Sequence, residues 1–256
     1  MTSVYFSGQG SVMIGKQQSS GFPGVLRRMG NVPGMSFTPK LDVFKHQESE
    51  SGARSNDMNI ILGREAEISI ELEAWDRKNL ALEFLGADAV VNAGTVTAEA
   101  LPTVVVGDLV PLKHGRISTL VITDSAAETP ATLVANTDYE IDDAIYGHIL
   151  IKNIATYTQP FKAAYAYDES INIPLLTENL STNWVRFAGL NTAASNAKLL
   201  VDYYKVQFET SKVLELIQDK GVAKRSLIGT VLIDTAKKND TTLGQFGRIQ
   251  LLEDAA

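Results

Sequence analysis

The stretch Glu65-Ala-Glu-Ile-Ser-Ile-Glu-Leu-Glu-Ala-Trp75 decides the fold class. Ala66, Ile68, Ile70, Leu72 and Ala74 fall on one side of a period of two, and Glu65, Glu67, Ser69, Glu71 and Glu73 fall on the other. Side chains alternate across a β-strand, so the pattern predicts a strand with one buried face and one acidic face. Like charges two residues apart sit roughly 7 Å from each other and repel. An acidic face of this kind is either simply solvated or set against something anionic.

Towards the N-terminus, residues 3–18 are punctuated by glycine and β-like, with Tyr5, Phe6, Val12 and Ile14 as apolar anchors. Gly21-Phe-Pro-Gly24 reads as a turn. Met35–Phe44 reads as a strand with Phe37, Leu41 and Val43 on one face, and Pro39 inside it removes a ladder donor, which predicts an edge strand. Residues 45–57 are polar and aperiodic, an exposed loop longer than most hairpin loops. Met58–Trp75 then forms one long strand or a pair.

Towards the C-terminus, residues 76–86 are the one convincing helix. Asp76 is a good N-cap, Leu80, Phe84 and Leu85 form an apolar stripe, and Gly86 is placed to end it. Residues 87–160 are β-rich, with candidate strands at 103–106, 116–123, 132–135, 138–142 and 147–151, and form either part of the main body or a peripheral lobe. Further strands are expected at 161–167, 183–189, 198–209, 227–234 and 246–252. In 198–209, Leu200, Asp202, Tyr204, Val206 and Phe208 share one side of the alternation. Trp75 and Trp184 both sit in alternating strands, where a core position is the simpler role. The whole reads as a mainly β chain, a single domain over 1–256: a β-sandwich or barrel-forming fold with one short packed helix.

Composition removes several function classes. With 256 residues the chain can build a core without staples, and with no cysteine it has no disulfide framework, thiolate nucleophile or zinc–thiolate site. Lys plus Arg is 23 against 30 Asp plus Glu, a net charge of −7, which is unlike a groove built to grip nucleic acid. Apolar runs such as Val104-Val105-Val106 are too short to span a bilayer, so no membrane partner is expected. The first basic residue, Lys16, is followed by no apolar run, so a chain made in the cytosol, and kept or assembled there, is the expectation.

Chemistry motifs are sparse. His46 lies near Glu48 and Glu50, but a polar loop without a second histidine is a poor metal site. His114 and His148 read as a turn residue and an exposed strand residue. Asp138-Tyr-Glu-Ile-Asp-Asp143 spaces acids as a calcium loop does, without its turn glycine or distal glutamate. There is no Gly-x-Ser-x-Gly elbow, and Gly8-Gln-Gly-Ser-Val-Met-Ile-Gly15 leads into no helix, so it is not a phosphate turn. Glu71 and Glu73 could stand at a glycosidase separation, yet an open stripe supplies no desolvated acid. No enzyme activity, cofactor or metal is expected.

The order of features carries a resemblance. Gly8-Gln-Gly-Ser11, Gly21-Phe-Pro-Gly24 and Gly30-Asn-Val-Pro33, then Lys45-His-Gln-Glu-Ser-Glu-Ser-Gly52 leading into strand and helix, resemble major tail tube proteins of long-tailed bacteriophages. Asp138-Tyr-Glu-Ile-Asp142, Gly147-His-Ile-Leu-Ile151 and Ala163-Ala-Tyr-Ala-Tyr-Asp168 are also similar to that family. The resemblance implies a virion protein, assembled in the host cytoplasm, whose hexameric rings stack into a tube with a continuous β-barrel around a lumen. It implies tail terminator, tail tip and tape measure proteins as partners, and double-stranded DNA passing without specific binding. The loop bridging rings or neighbours would be 45–57, with Lys45, His46, Glu48, Glu50, Arg54 and Asp57 as contact residues. Glu67, Glu71, Glu73 and Asp202 are the candidates for the lumen, where a negative wall would let DNA pass, because phosphates find no counter-charge there. The alternative is a β-sandwich module that binds a carbohydrate or a receptor.

Overall fold

The computed structural model describes residues 5–211, 213–237 and 240–252. Its strands are β1 (Gly8–Lys16), β2 (Arg27–Arg28), β3 (Gly34–Gln47), β4 (Asn56–Leu72), β5 (Ala89–Val91), β6 (Gly94–Ala100), β7 (Leu109–Pro111) and β8 (Ile117–Thr123). They continue as β9 (Tyr139–Asp143), β10 (His148–Ile151), β11 (Lys162–Tyr167), β12 (Ser170–Asn172), β13 (Thr182–Asn191), β14 (Ala197–Phe208), β15 (Arg225–Val231) and β16 (Gly247–Leu251). One α-helix, α1 (Arg77–Glu83), follows β4. The chain is mainly β, and among the described residues none of its antiparallel sheets closes into a barrel.

Two compact units divide the chain: Met1–Asp88 with Ile173–Ala256, and Ala89–Asn172. The second unit runs past the 87–160 boundary of the sequence reading, because β11 pairs with both β6 and β8, and β12 pairs with β5.

The first unit is an eight-stranded sheet in the order β2-β1-β13-β14-β15-β4-β3, with β16 added on β14. β14 serves two neighbours in turn: Leu199–Tyr203 pair with β16 and Val206–Phe208 pair with β15. Val12 and Ile14 of β1 share one apolar cluster with Ile68 and Ile70 of β4, although two further strands and β15 separate them in the sheet. Phe37 of β3 likewise stacks on Tyr203 of β14, ring centroids 5.0 Å apart. The sheet therefore curls over its own apolar face. Each fully buried Ile or Leu there contributes about 1.5–3 kcal/mol. Pro39 sits in β3, which is the outer strand of this sheet, as the missing donor requires.

In α1 the Asp76 carboxylate accepts from Lys78 N at 2.9 Å and Asn79 N at 3.2 Å, so the expected N-cap is in place. The buried face differs from the predicted Leu80–Phe84–Leu85 stripe. Asn79, Ala81 and Glu83 are the buried positions, and Leu80, Phe84 and Leu85 are half-buried. Polar partners make this possible. Asn79 donates to Met29 O at 2.9 Å and accepts from Arg27 Nη1 at 2.6 Å, while Arg225 Nε of β15 meets Glu83 Oε2 at 2.8 Å. The helix ends at Glu83, and Leu85 rather than Gly86 takes the left-handed turn, with φ 47°, while Gly86 N donates to Ala81 O at 2.8 Å. Gly86 is needed for close approach instead: a Cβ there would lie 2.1 Å from Pro174 O.

The second unit holds three small sheets, β7-β10-β9, β6-β11-β8 and β12-β5, around Ile122, Ile149, Ile151, Phe161 and Ala163, all fully buried. Residues 103–106 are not the strand the sequence suggested. The Gln159 side chain takes both backbone groups of Val104, at 2.7 and 2.8 Å, in place of a neighbouring strand. Residues 132–135 make only isolated bridges. Among the Asp138–Asp143 acids, Asp138 accepts from Val134 N, Asn153 Nδ2 and Tyr157 Oη, Glu140 pairs with Lys152, and Asp143 accepts from Ile145 N and Tyr146 N. These acids tie loops together. The Tyr157 hydroxyl, first among its donors, holds the Asp138 carboxyl below the usual range.

Candidate functional site

Strand β4 keeps its alternation. Ala66, Ile68, Ile70 and Leu72 are buried, while Glu65 is exposed and Glu67, Ser69 and Glu71 are half-exposed on the outer face. Register sets the neighbours of that outer face. β3 brings Lys40, Thr38, Ser36 and Gly34 opposite Glu65, Glu67, Ser69 and Glu71, and β15 brings Thr230, Ile228 and Ser226 opposite Glu67, Ser69 and Glu71. The face is thus acidic along β4, and polar on both flanks except at half-buried Ile228. Lys40 Nζ lies 2.8 Å from Glu67 Oε2, and this hydrogen bond raises the ammonium pKa. Glu73 lies just beyond the strand, where its carboxylate accepts from Asn31 Nδ2.

Asp202 is not on an open face, contrary to its placement as a lumen candidate. It is fully buried, with Arg186 Nε at 2.6 Å, Arg248 Nε at 3.2 Å and Trp184 Nε1 at 3.0 Å. Strand register places it directly between Arg186 of β13 and Arg248 of β16. The five-residue face read from Leu200 to Phe208 is also broken. The β13–β14 ladder shifts between Asn183↔Val206 and Val185↔Tyr203, so the core-facing set passes from Val201 and Tyr203 to Val206 and Phe208. Trp184 is buried as expected. Trp75 is 61% exposed, with the Arg225 guanidinium 5.1 Å from its ring centroid. It escapes the core because β4 ends at Leu72.

The predicted 45–57 loop is shorter than its polarity suggested. Lys45 and His46 belong to β3 and Asp57 to β4, with Lys45 opposite Asn59 and His46 opposite Met58. His46 Nδ1 lies 2.6 Å from Asp57 Oδ1 and fastens the strand ends. Glu48, Glu50 and Arg54 are in the turn proper. There Glu48 accepts from Glu50 N and Ser51 N at 2.8 and 2.9 Å and from the Ser51 hydroxyl. The Ser51 hydroxyl, helped by these amides, pulls the Glu48 carboxyl down to about 2. Among the described residues, no group of three or more acids or histidines is placed to hold a metal ion.

Behind this turn lies a feature that alternation did not reveal. β15 pairs with β4 only from Glu67 to Leu72, so, among the described residues, positions 56–66 of β4 have β3 as their one strand partner. The two strands leave the sheet as an arm. A register shift at Asp42/Val43 leaves Leu62 unpaired and puts apolar side chains on both faces of the arm. Leu41, Phe44, Met58, Ile60, Ile61 and Leu62 are 42–64% exposed. The signal was in the sequence: Ile60-Ile61-Leu62 breaks the polar–apolar alternation just before Glu65.

A cleft of about 750 Å³ opens in the same unit, lined by Val12, Met35, Phe37, Leu199, Tyr203 and Ile249 among others. It lies where the curled sheet fails to meet itself, between the start of β3 and the β14–β16 pair.

No curated protein matches the chain. The family described as "Protein of unknown function UCP028589" matches residues 5–250, nearly the full length, and the chain belongs to that family.

Proposed function

We propose that the chain is a structural virion protein that self-assembles into hexameric rings stacked as the tail tube of a long-tailed phage. The observation that carries this reading is the β3–β4 arm. Six large apolar side chains project on a two-stranded ribbon, and such a ribbon is marginal in water by itself. Exposed apolar surface of this kind marks a contact with another chain. The outer strand β3 offers a further unpaired edge for joining subunits. In the assembled tube, Glu67, Glu71 and Glu73 face the lumen, DNA passes them unbound, and no catalysis is involved. The arm bridges subunits through Lys45, His46, Glu48, Glu50, Arg54 and Asp57. Tail terminator, tail tip and tape measure proteins are the partners, the virion tail is the location, and the host cytoplasm is the place of assembly. Electron microscopy of the purified protein tests this. Rings or tubes support it, and a persistent monomer at high concentration sinks it.

A second reading, a carbohydrate- or receptor-binding virion module, draws on exposed Trp75. Arg225 packs over that ring, so at most one ring face is open to a sugar. Glycan binding that is lost in Trp75→Ala would favour it.

A further inference from the structure

We infer that the apolar cleft of the first unit is the receptor for the β3–β4 arm of a second copy of the chain. The inference rests on the self-assembly reading and names the surface that the arm meets.

Both halves of the contact are on this chain. The cleft is walled by Val12, Met35, Phe37, Leu199 and Tyr203, and its mouth carries Ile249 and Leu251, 71 and 77% exposed. The arm offers Phe44, Met58, Ile60 and Ile61, which no element covers among the described residues. Burying apolar area of this sort gains about 25 cal/mol per Å² removed from water. Charge agrees with shape. Lys198 lines the cleft and Asp42 stands at the root of the arm, and neither has an ion-pair partner among the described residues.

Among the described residues, the arm does not reach its own cleft. The cleft touches β3 at Gly34–Phe37, whereas the arm is the far end of that same strand. Phe44 lies seven residues beyond Phe37, about 24 Å along an extended strand. A rigid strand thus carries the arm away from its own cleft. Arm and cleft are different patches, so their pairing is head-to-tail, and such contacts generate rings or open stacks.

The absence of cysteine makes the test clean. In a Phe44→Cys/Ile249→Cys double variant, oxidation of assembled protein gives a ladder of disulfide-linked copies on a non-reducing gel. Lys198→Asp raises the concentration needed for assembly about tenfold or more, because it sets like charges together. Adding Asp42→Lys restores assembly. All four substituted positions are exposed in the single chain, and circular dichroism verifies the fold. Rings or tubes without a ladder, and unaffected by Lys198→Asp, overturn the inference and leave the self-assembly reading standing. Wild-type protein that stays monomeric, its cleft taking up an apolar dye unhindered, overturns both.

Discussion

At the scale of single residues, buried charges decide more than the motifs that first draw the eye. Glu83 and Arg225 form a pair almost wholly out of water, 0 and 2% exposed, with Arg225 Nη2 also donating to Ala74 O at 2.7 Å. Burial pushes the Glu83 carboxyl up against the pull of Arg225, and Oε1 has no partner among the described atoms. Removing one member strands the other charge, so Glu83→Ala should cost about 3–5 kcal/mol. Urea unfolding followed by tryptophan fluorescence measures this in the right place, since Trp75 and Trp184 both lie in the first unit. Glu48 behaves oppositely. Its folded pKa is depressed to about 2, so its hold on the arm tip is complete above the unfolded value, about 4.3, and is lost as pH falls through the folded one. The Glu50 and Ser51 amide signals should therefore shift with a midpoint near 2 in NMR titrations. Glu48→Gln should abolish that transition.

At the scale of elements, β4 shows what a sequence can and cannot tell. Its half from Ala66 to Leu72 was legible because one neighbour-rich face and one polar face impose a period of two. Pro39 marked the outer strand for an equally local reason. The arm was legible only as the break in alternation at Ile60-Ile61-Leu62, because its apolar residues look like core until the sheet is seen to stop at Glu67. Asp202 was misplaced for a related reason: alternation cannot see a ladder shift or two arginines on neighbouring strands. Residues 103–106 failed because a side chain, Gln159, replaced a strand partner. The same contrast gives a prediction within one strand. Ile70→Ala, in the core, should destabilise the first unit by about 2–5 kcal/mol. Ile60→Ala, on the arm, should change monomer stability by no more than about 0.5 kcal/mol while weakening assembly. Equal losses in urea unfolding would mean the arm is packed in the isolated chain.

At the scale of the whole molecule, the two units and the acidic face separate architecture from function. Ala89 is registered opposite Asn172, so the second unit enters and leaves through adjacent residues, roughly 5 Å apart. Replacing 89–172 with a short Gly-Ser linker should leave the first unit folded, as judged by its tryptophan fluorescence and urea midpoint.

The acidic face belongs to this scale as well, because one copy of it does little. Glu67 is paired with Lys40, and surface charges in one chain are screened within about 8 Å at physiological salt. Copied around a ring, the same residues would focus a negative potential on anything in the channel. Converting Glu67, Glu71 and Glu73 to lysine should then produce tubes that retain double-stranded DNA. That retention should weaken steeply with salt, because each new phosphate contact releases counterions. Nuclease protection of DNA mixed with assembled tubes, measured across a salt series, reads this directly. Charge-reversed tubes with no affinity for DNA at low salt would place the face on the outside, where its acidity serves solubility alone.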